Sequence, residues 1–240
     1  MKNYPSVAES AEKKAEVRTM FDAIARRYDL LNRVLSGGID QSWRRKAIEM
    51  LRPENPRRVL DLATGTADLA IQAMTLEPDR VVGVDLSAQM LDVGRSKVQS
   101  RGLSDRVSLL QGDAENLGFA DGEFDAVLVA FGVRNFGNLA RGLEEMRRVL
   151  RPGGCAVILE FSHPTAFPIK QGYALYSRYI LPRLGGAISG DSGAYRYLPD
   201  SVAAFPDGEE FLARMESAGF SDLRARRLTF GIASLYFGRA

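Results

Sequence analysis

Short apolar runs alternate with amphipathic segments along the chain from residue 57 onward. The runs at 57–62 and 80–87 are rich in Val and Leu, and each leads into a segment whose apolar residues recur at helical spacing. Further apolar runs follow at 106–117, 122–133 and 155–162, and a helical pattern with a Pro-Gly-Gly stop precedes the last of them. This alternation predicts an α/β fold with a doubly wound, mostly parallel sheet, whose ligands bind at the carboxyl ends of the strands.

The end of the chain returns to this pattern after an interruption. Residues 163–205 are rich in aromatic residues and turn formers and follow the fifth predicted strand. A helix at 206–220 and a closing pair of strands at 221–240 come next, with Gly231 near the turn. We expect an antiparallel final strand to close the sheet. We also expect residues 1–52, which are charged and amphipathic, to form a helical segment that makes a lid together with the insertion at 163–205.

Composition argues against several kinds of protein. The 32 basic and 30 acidic residues give a net charge of +2, too small an excess to predict nucleic-acid binding. A single cysteine, Cys155, excludes an internal disulfide, and one His beside one Cys argues against a metal site. No stretch approaches the roughly 20 apolar residues of a membrane-spanning helix. We therefore expect a cytoplasmic protein whose contact with membrane, if it has one, is peripheral and at the inner face.

The turn after the first strand, in "RVLDLATGTAD" (58–68), is a candidate ligand-binding loop. A dinucleotide-binding turn carries G-x-G-x-x-G, in which glycines let the backbone approach a pyrophosphate. Gly65 is the only glycine in this stretch, which disfavours a pyrophosphate but suits a ligand without phosphate, such as S-adenosylmethionine. The alternative is an ordinary connection between a strand and a helix.

Three acids at the ends of successive strands make a more specific pattern. Asp61 belongs to the first strand, Asp85 ends the second and Asp113 follows the third. Asp85 stands about 20 residues beyond the turn, where a carboxylate can accept both hydroxyls of a ribose. Asp113 stands where an adenine edge would pass, and could accept its exocyclic amine. The alternative is helix capping, since Asp85 with Ser87 opens a helix and Asp113 could start a turn.

Five separated motifs resemble a known enzyme family. They are "YDLLNRVLSGGIDQSW" (28–43), "LDLATGTADL" (60–69), "FGVRNF" (131–136), "RVLRPGGCAVILEFS" (148–162) and "YRYLPDS" (195–201). In this order they are similar to the UbiE/MenG/Coq5 C-methyltransferases of ubiquinone and menaquinone biosynthesis, over residues 15 to 238 or so. The resemblance implies a class I, Rossmann-like methyltransferase domain at 53–240 with a mostly parallel seven-stranded sheet. It also implies methyl transfer from S-adenosylmethionine to a ring carbon of a polyprenylated quinol.

The resemblance also supplies a set of cofactor residues. Thr66 matches the turn, Asp85 the ribose position, and Asp113 with Ala114 the adenine position. The full expected set is Tyr28, Asp61, Gly65, Thr66, Asp85, Leu86, Asp113, Ala114 and Ala130. The chain departs from the family pattern at Ala67, where glycine is usual, and at Ala130, where a small polar residue is common. It departs again at Asp40, which stands in the place of a histidine.

The chemistry of such a transfer constrains the catalytic residues. A quinol carbon becomes nucleophilic when its neighbouring hydroxyl loses a proton, so the site needs a proton acceptor and a cation. Arg134 is the candidate for stabilising the phenolate, with Asn135 orienting the ring or the methionine end of the cofactor. A surface salt bridge is the alternative for Arg134. His163 could be the base or a loop residue, and the other candidates for the base are Asp29, Asp40, Tyr195 and Tyr197.

An apolar stripe in the insertion has two interpretations. Helical spacing relates five residues, namely Ile169, Tyr173, Tyr176, Ile180 and Leu184. Core packing is the favoured interpretation. A partly open stripe could instead accept an isoprenoid tail or rest on an anionic membrane.

Other classes of protein fit the sequence less well. A nicotinamide oxidoreductase lacks its glycines here, and a nucleic-acid amino-methyltransferase would carry an Asn/Asp-Pro-Pro-aromatic motif where this chain has "AFGVRNF". A binding module without activity could share the fold. Another small aromatic or lipid substrate is the alternative within the class. The sequence leaves open the choice of benzoquinol or naphthoquinol, the tail length and the oligomeric state.

Overall fold

The structure is a computed structural model and describes residues 7–180 and 193–240. Its strands are β1 (Arg58–Leu62), β2 (Arg80–Asp85), β3 (Val107–Gln111), β4 (Phe124–Ala130), β5 (Leu150–Phe161), β6 (Ser221–Leu228) and β7 (Ala233–Arg239). They form one seven-stranded sheet in the order β3-β2-β1-β4-β5-β7-β6. β1 to β5 pair in parallel, and β7 pairs antiparallel with both β5 and β6. The mostly parallel sheet and its antiparallel closing strand are therefore confirmed.

Helices cover both faces of the sheet and the edge where the parallel strands end. They are α1 (Val7–Ile24), α2 (Tyr28–Ser36), α3 (Ile39–Leu51), α4 (Asp68–Ala73), α5 (Ala88–Ser100), α6 (Leu139–Val149), α7 (Ile169–Leu175), α8 (Gly193–Ala204) and α9 (Glu209–Ser217). A π-helical turn, Tyr176–Ile180, continues α7, and a 3-10 turn, Val133–Asn135, follows β4. In the part of the chain that the structure describes, no helix is long and apolar enough to cross a membrane.

The core lies on both faces of the sheet because the central strands carry apolar residues at successive positions, which point to opposite faces. In β4, Ala126 and Leu128 pack into one hydrophobic cluster, while Val127 and Val129 pack into the cluster on the opposite face. Burial on two faces is typical of a parallel strand between helices. The continuous apolar run of the fourth strand therefore reflects burial on both of its faces.

The fifth strand begins earlier than its sequence pattern suggests. The Pro-Gly-Gly stop was expected to end a helix and lead into a strand at Cys155, but α6 ends at Val149 and β5 already includes Leu150. Its pairing with β4 jumps from Phe124↔Leu150 to Ala126↔Cys155, so the residues between them form an irregularity in the strand. Gly153, with φ 78°, adopts the left-handed conformation that such a bulge requires.

The N-terminal helices and the insertion share a small core of their own. Ile24 and Leu31 are buried there, and the partly buried side chains of Met20, Phe21, Tyr28, Leu35, Tyr176 and Leu198 pack against them. The Tyr176 hydroxyl also donates to the backbone carbonyl of Leu35 at 2.5 Å. These contacts hold α1, α2, α7 and α8 together over the strand ends.

Candidate active site

Two neighbouring cavities lie at the carboxyl edge of the sheet. The first, here called the acidic cleft, lies between α1 and the turns that follow β1 to β4. The second, here called the apolar cavity, is larger and is lined by α1 to α3, α7, α8 and the loop before β7. Phe21, Tyr28 and Phe131 line both. These three rings therefore form the partition between the two cavities.

The turn after β1 forms one wall of the acidic cleft. Ala63, Gly65 and Ala67 have φ values of 52°, 56° and 64°, so three residues of the turn are left-handed. Only Gly65 adopts this conformation without steric cost. The amide of Gly65 donates to Asp85 Oδ2 at 2.8 Å, which fixes the turn against the end of β2. Gly65 lines the cleft, whereas Ala67 is buried beneath it.

Asp61 and Thr66 support this turn from below and do not line either cavity. The Thr64 hydroxyl donates to Asp61 Oδ2 at 2.6 Å, and burial raises the pKa of the Asp61 carboxyl to about 7. The Thr66 hydroxyl donates to Asp29 Oδ1 at 2.6 Å and accepts from Lys97 Nζ at 3.1 Å. The structure thus gives both residues a bracing position under the expected cofactor site.

Asp85 does reach the cleft, together with Leu86. Its Oδ1 accepts from the amide of Ser87 at 2.9 Å, while Oδ2 accepts from Gly65. Burial raises the pKa of this carboxyl, and the hydrogen bonds from the two amides oppose the shift. Each carboxylate oxygen can accept more than one hydrogen bond, so Asp85 retains acceptor capacity toward the cleft.

The far wall of the cleft carries an ion-pair cluster. Asp113 and Ala114 line it as expected, and Lys14 Nζ lies 2.7 Å from Asp113 Oδ2 and 2.8 Å from Glu115 Oε2. Glu115 is buried and also accepts from the amides of Gly137 and Asn138, at 2.7 Å and 3.0 Å. The sequence pointed to neither Lys14 nor Glu115.

Helix α1 lies along the cleft as its cover. Lys13 Nζ donates to the carbonyls of Arg134 and Phe136 at 3.1 Å and 2.6 Å, and Ser87 donates from its hydroxyl to Asp22 Oδ1 at 2.5 Å. Only Ser10, Val17 and Ile24 of the described α1 side chains are buried, at a spacing of seven residues. A spacing of seven residues places these side chains on one face of the helix, which is the face that packs against the rest of the protein, although most residues of α1 are polar.

A buried ion pair in the wall of the apolar cavity joins Arg134, which lines the cavity, to Glu160. Arg134 Nη1 donates to Glu160 Oε1 at 2.8 Å and to the carbonyl of Phe131. The side chains are 7% and 0% exposed, so this pair is not the surface salt bridge that was the alternative. The guanidinium carbon lies 5.4 Å from the centroid of the Phe161 ring. Arg134 Nε is buried and lacks a hydrogen-bond partner within the described residues.

Asp40 and Arg44 form a second ion pair that lines the same cavity. Both residues are buried, and the Ser36 hydroxyl donates to Asp40 Oδ1 at 2.8 Å. The guanidinium carbon of Arg44 lies 5.7 Å from the centroid of the Phe131 ring, whose centroid is 4.6 Å from that of Phe161. Two arginines therefore flank one pair of neighbouring aromatic rings.

The remaining candidates lie in different places. Ala130 and Asn135 line the acidic cleft, and the Tyr197 hydroxyl donates to Asn135 Oδ1 at 3.0 Å from the side of the apolar cavity. His163 lines neither cavity, and its Nδ1 lies 3.1 Å from Asp207 Oδ2 near the surface. The side chain of Tyr195 lies outside the described part of the chain.

The insertion places part of its predicted apolar stripe on the apolar cavity. Ile169, Tyr173 and Tyr176 line it, and Tyr176 also packs against the small core beneath α2. Burial raises the pKa of Tyr173 to about 12. The side chains of Ile180 and Leu184 lie outside the described residues. Among the described residues, no group of three or more His, Cys, Asp or Glu side chains is arranged to hold a metal ion.

The fold and the two cavities define a class. A parallel sheet with ligand-binding turns at its carboxyl ends and a closing antiparallel strand is the fold of S-adenosylmethionine-dependent methyltransferases. One solved structure of that class, from Thermotoga maritima, covers 92% of this chain and 98% of its own length with a TM-score of 0.65 and 21% identity. The [4+2]-cyclase SpnF covers 94% of this chain and 96% of its own length, with a TM-score of 0.68 and 17% identity. These likenesses show the fold alone.

Sequence comparisons identify the family within that class. Residues 8–240 match the model of the ubiE/COQ5 methyltransferase family. The demethylmenaquinone methyltransferase of Bacteroides fragilis is 48% identical over 240 residues, which is 98% of each chain. That of Thermus thermophilus is 50% identical over 220 residues, covering 91% of this chain and 99% of its own. The ubiquinone/menaquinone biosynthesis C-methyltransferase UbiE of Geobacter sulfurreducens is 48% identical, covering 95% of this chain and 89% of its own. The chain belongs to the ubiE/COQ5 methyltransferase family.

Proposed function

We propose that this protein transfers a methyl group from S-adenosylmethionine to a ring carbon of a polyprenylated naphthoquinol, converting demethylmenaquinol to menaquinol. The names of its relatives from Bacteroides fragilis and Thermus thermophilus support the naphthoquinol, and the broader name of the Geobacter relative keeps the benzoquinol as the second candidate. The single observation that carries the proposal is the adjacency of the two cavities. A cleft with ribose and adenine partners meets an apolar cavity with an arginine in its wall across three aromatic rings.

The donor set of the acidic cleft fits S-adenosylmethionine. Asp85 would accept from the ribose hydroxyls, and Asp113 with Ala114 would bind the adenine edge. The turn has one glycine and needs to approach no phosphate. When bound, the cofactor supplies an electrophilic methyl group on its sulfonium. Tyr28 would separate the two sites, and burial keeps this phenol protonated by raising its pKa.

Arg134 would stabilise the phenolate oxygen of the quinol. Glu160 and the carbonyl of Phe131 hold its guanidinium in place, so little reorganisation is required when charge develops on the substrate. Arg134 also lines the apolar cavity, so its side chain lies beside the space in which the quinol would bind. Asn135, held by Tyr197, would orient the ring or the methionine end of the cofactor.

Asp40 is the candidate for the proton acceptor. It is a carboxylate in the wall of the apolar cavity, whereas His163 lies outside it. The raised pKa values of Tyr173 and Tyr197, which follow from burial, make these phenols donors of hydrogen bonds rather than bases. In this proposal Asp40 takes the hydroxyl proton, and its ion pair with Arg44 holds the carboxylate in position in the wall of the cavity.

The proposal is tested by incubating the protein with S-adenosylmethionine labelled in its methyl group. Demethylmenaquinol and the demethylated ubiquinol precursor are supplied separately under reducing conditions, and the lipid is extracted and counted. We expect label in menaquinol, and a slower transfer or none to the benzoquinol. Label in neither lipid, from protein that binds the cofactor normally, would point to another small aromatic or lipid substrate.

A further inference from the structure

The exposed hydrophobic side chains of this protein are not scattered. In the part of the chain that the structure describes, the large hydrophobic side chains exposed to solvent are Leu30, Val34, Leu110, Phe167, Leu175, Tyr179 and Phe230. All but Leu110 lie in segments that also line the apolar cavity. Phe167 is 81% exposed and directly precedes a residue that lines the cavity. Phe230 is 73% exposed and lies two positions before another lining residue. The residues exposed on the outside and the lining of the cavity thus belong to the same three segments.

Contacts join these three segments into one surface, here called the rim and defined as residues 26–34, 163–177 and 226–232. The Tyr176 hydroxyl bonds to the carbonyl of Leu35 next to the first segment. Arg227 Nη1 donates to Thr165 Oγ1 at 3.1 Å between the second and third segments. A Cβ on Gly231 would lie 3.5 Å from the Cα of Pro164, which shows how closely these two segments pack.

The rim is also strongly basic. Its basic residues are Arg26, Arg27, Arg33, Lys170, Arg226 and Arg227, and its one acid is Asp29. Asp29 is ion-paired with Lys97, whose Nζ lies 2.8 Å from Asp29 Oδ2 and also contacts Asp68. The whole protein carries a net charge of only +2, so this part of the surface concentrates the basic excess. Apolar side chains among basic ones are the pattern that binds an anionic lipid surface.

We propose that the rim docks the protein on an anionic membrane, with Phe167 and Phe230 inserted among the lipid headgroups and the apolar cavity facing the bilayer. The identity of the ligand that would enter the cavity from the membrane rests on the proposed function, but the docking itself does not. A lipid with a long isoprenoid tail is almost insoluble in water, so a cavity facing the bilayer shortens its path. The rim side chains hold the protein at the surface by burying apolar area and by attracting anionic headgroups.

The test measures sedimentation of the full-length protein with vesicles of phosphatidylcholine alone or of phosphatidylcholine mixed with phosphatidylglycerol. We expect binding to the mixed vesicles that weakens at high salt. Phe167→Ser combined with Phe230→Ser should weaken it by about tenfold or more, since each loses apolar area from the interface. Leu110→Ser removes an exposed hydrophobic side chain outside the rim and should leave binding unchanged.

A charge reversal in the rim provides the second arm. Arg33→Glu combined with Lys170→Glu should weaken binding by about tenfold or more, because each basic residue near the surface contributes roughly 1 kcal/mol. Arg101→Glu, an exposed position after α5, is the matched control. Thermal melting establishes that each variant is folded.

Three results would overturn the docking proposal. The first is wild-type protein that binds neither kind of vesicle, and the second is binding that the rim variants do not weaken. The third is a rim variant that converts a dimer into a monomer by light scattering without changing vesicle binding, since the rim would then join two copies of this chain. Methyl transfer to a short-tailed, water-soluble quinol should be unchanged in the rim variants. Absence of that transfer in the wild type would refute the proposed function and leave the vesicle result to stand separately.

Discussion

Arg134 belongs to a buried ion pair, so replacing it affects the stability of the protein as well as its chemistry. Its partner Glu160 is fully buried, and their pair is completed by the carbonyl of Phe131. Removal of the arginine side chain leaves the buried carboxylate with only the backbone amides of residue 134 and Phe161 as donors, and breaking a buried ion pair typically costs about 3–5 kcal/mol of stability. A loss of activity in Arg134→Ala would therefore mix a chemical effect with partial unfolding.

We expect the double variant Arg134→Ala with Glu160→Gln to separate these effects. Neutralising both partners should restore much of the stability, whereas the rate of methyl transfer should stay lower by about a hundredfold or more. Arg134→Lys should be intermediate, because a point charge does not reproduce the planar guanidinium. Single-turnover transfer from saturating labelled cofactor is measured beside cofactor affinity and thermal melting. A stable double variant with a normal rate would show that Arg134 has a structural role only.

Asp85 allows a test on the cofactor side. Asp85→Asn retains the shape of the side chain and one carbonyl oxygen, but loses the charge and one acceptor oxygen. We expect the affinity for S-adenosylmethionine to fall on the order of a hundredfold, because hydrogen bonds to a charged group contribute about 1.5–3 kcal/mol each. Calorimetry is the measurement. Asp92→Asn makes the same chemical change at an exposed position of α5 that lines neither cavity, and is the control. Equal affinities in both variants would remove Asp85 from the proposed ribose site.

Asp61 predicts an unusual dependence of stability on pH. Its pKa is about 7 in the folded protein because of burial, against 3.8 for the unfolded chain. The folded state therefore holds the proton more tightly, so this group stabilises the protein below pH 4 or so and loses that contribution as the pH rises through 7. Asp61→Asn has no such proton. The unfolding free energy of Asp61→Asn minus that of the wild type should therefore rise by up to about 4 kcal/mol between pH 4 and pH 8. Urea unfolding at several pH values checks this, and a constant difference would contradict it.

The positions of the three acids explain how far the sequence could identify the site. Asp85 is the last residue of β2 and Asp113 comes two residues after β3, so both side chains emerge at the strand ends and line the cleft. Asp61 precedes the last residue of β1, and its side chain turns under the sheet edge to Thr64. The expectation that cleft residues lie at strand ends holds for Asp85 and Asp113, which stand at or beyond the last residue of their strands. The sequence pattern could not distinguish them from Asp61, which stands one position before the end of its strand.

At the scale of elements, the regular strands were the predictable part. The apolar runs of β1, β2 and β4 and the antiparallel closing strand follow from local pattern. The predicted start of β5 was wrong. Leu150 already pairs with Phe124, and the irregular stretch that follows it contains glycines that resemble the end of a helix. The role of α1 was also hidden, since it is attached mainly by polar contacts from Lys13, Lys14 and Asp22. Such contacts join residues about a hundred positions apart and leave no periodic signal.

Helix α1 yields a prediction of its own. Lys14 holds the helix to Asp113 and Glu115, at the end of the cleft that is proposed to bind adenine. Lys14→Ala should loosen this cover and speed the release of bound cofactor by roughly tenfold, as expected when one partly buried charged contact worth about 1.5 kcal/mol is lost. Stopped-flow displacement measures the release rate. Glu12→Ala, an exposed position on the same helix, is the control, and equal release rates in the two variants would show that Lys14 does not fasten the cover.

At the scale of the whole molecule, the two cavities are formed by different but overlapping sets of elements. The acidic cleft is formed by the sheet turns and α1, whereas the apolar cavity is enclosed by α2, α3, α7 and α8 as well. The partition residues Phe21 and Tyr28 come from the N-terminal region, and Phe131 comes from the end of β4. In the proposed function, packing of α1 over the cofactor would therefore also set the position of Phe21 in the wall of the apolar cavity.

This coupling leads to a prediction for the intact protein. At a cofactor concentration about 100 times its Kd, binding should stabilise the folded state by about 2.7 kcal/mol and raise the Tm by roughly 5–10 °C. The strands of the core are already protected, so the added protection from hydrogen exchange should concentrate in α1 and in the turn around Gly65. Exchange measured by mass spectrometry with and without cofactor checks the pattern. In Asp85→Asn the same cofactor concentration would be close to the variant's own Kd, so the stabilisation should fall to about 0.4 kcal/mol and the added protection should be correspondingly weaker. Protection confined to the turn, with α1 exchanging at its original rate, would show that the helix does not close on the cofactor.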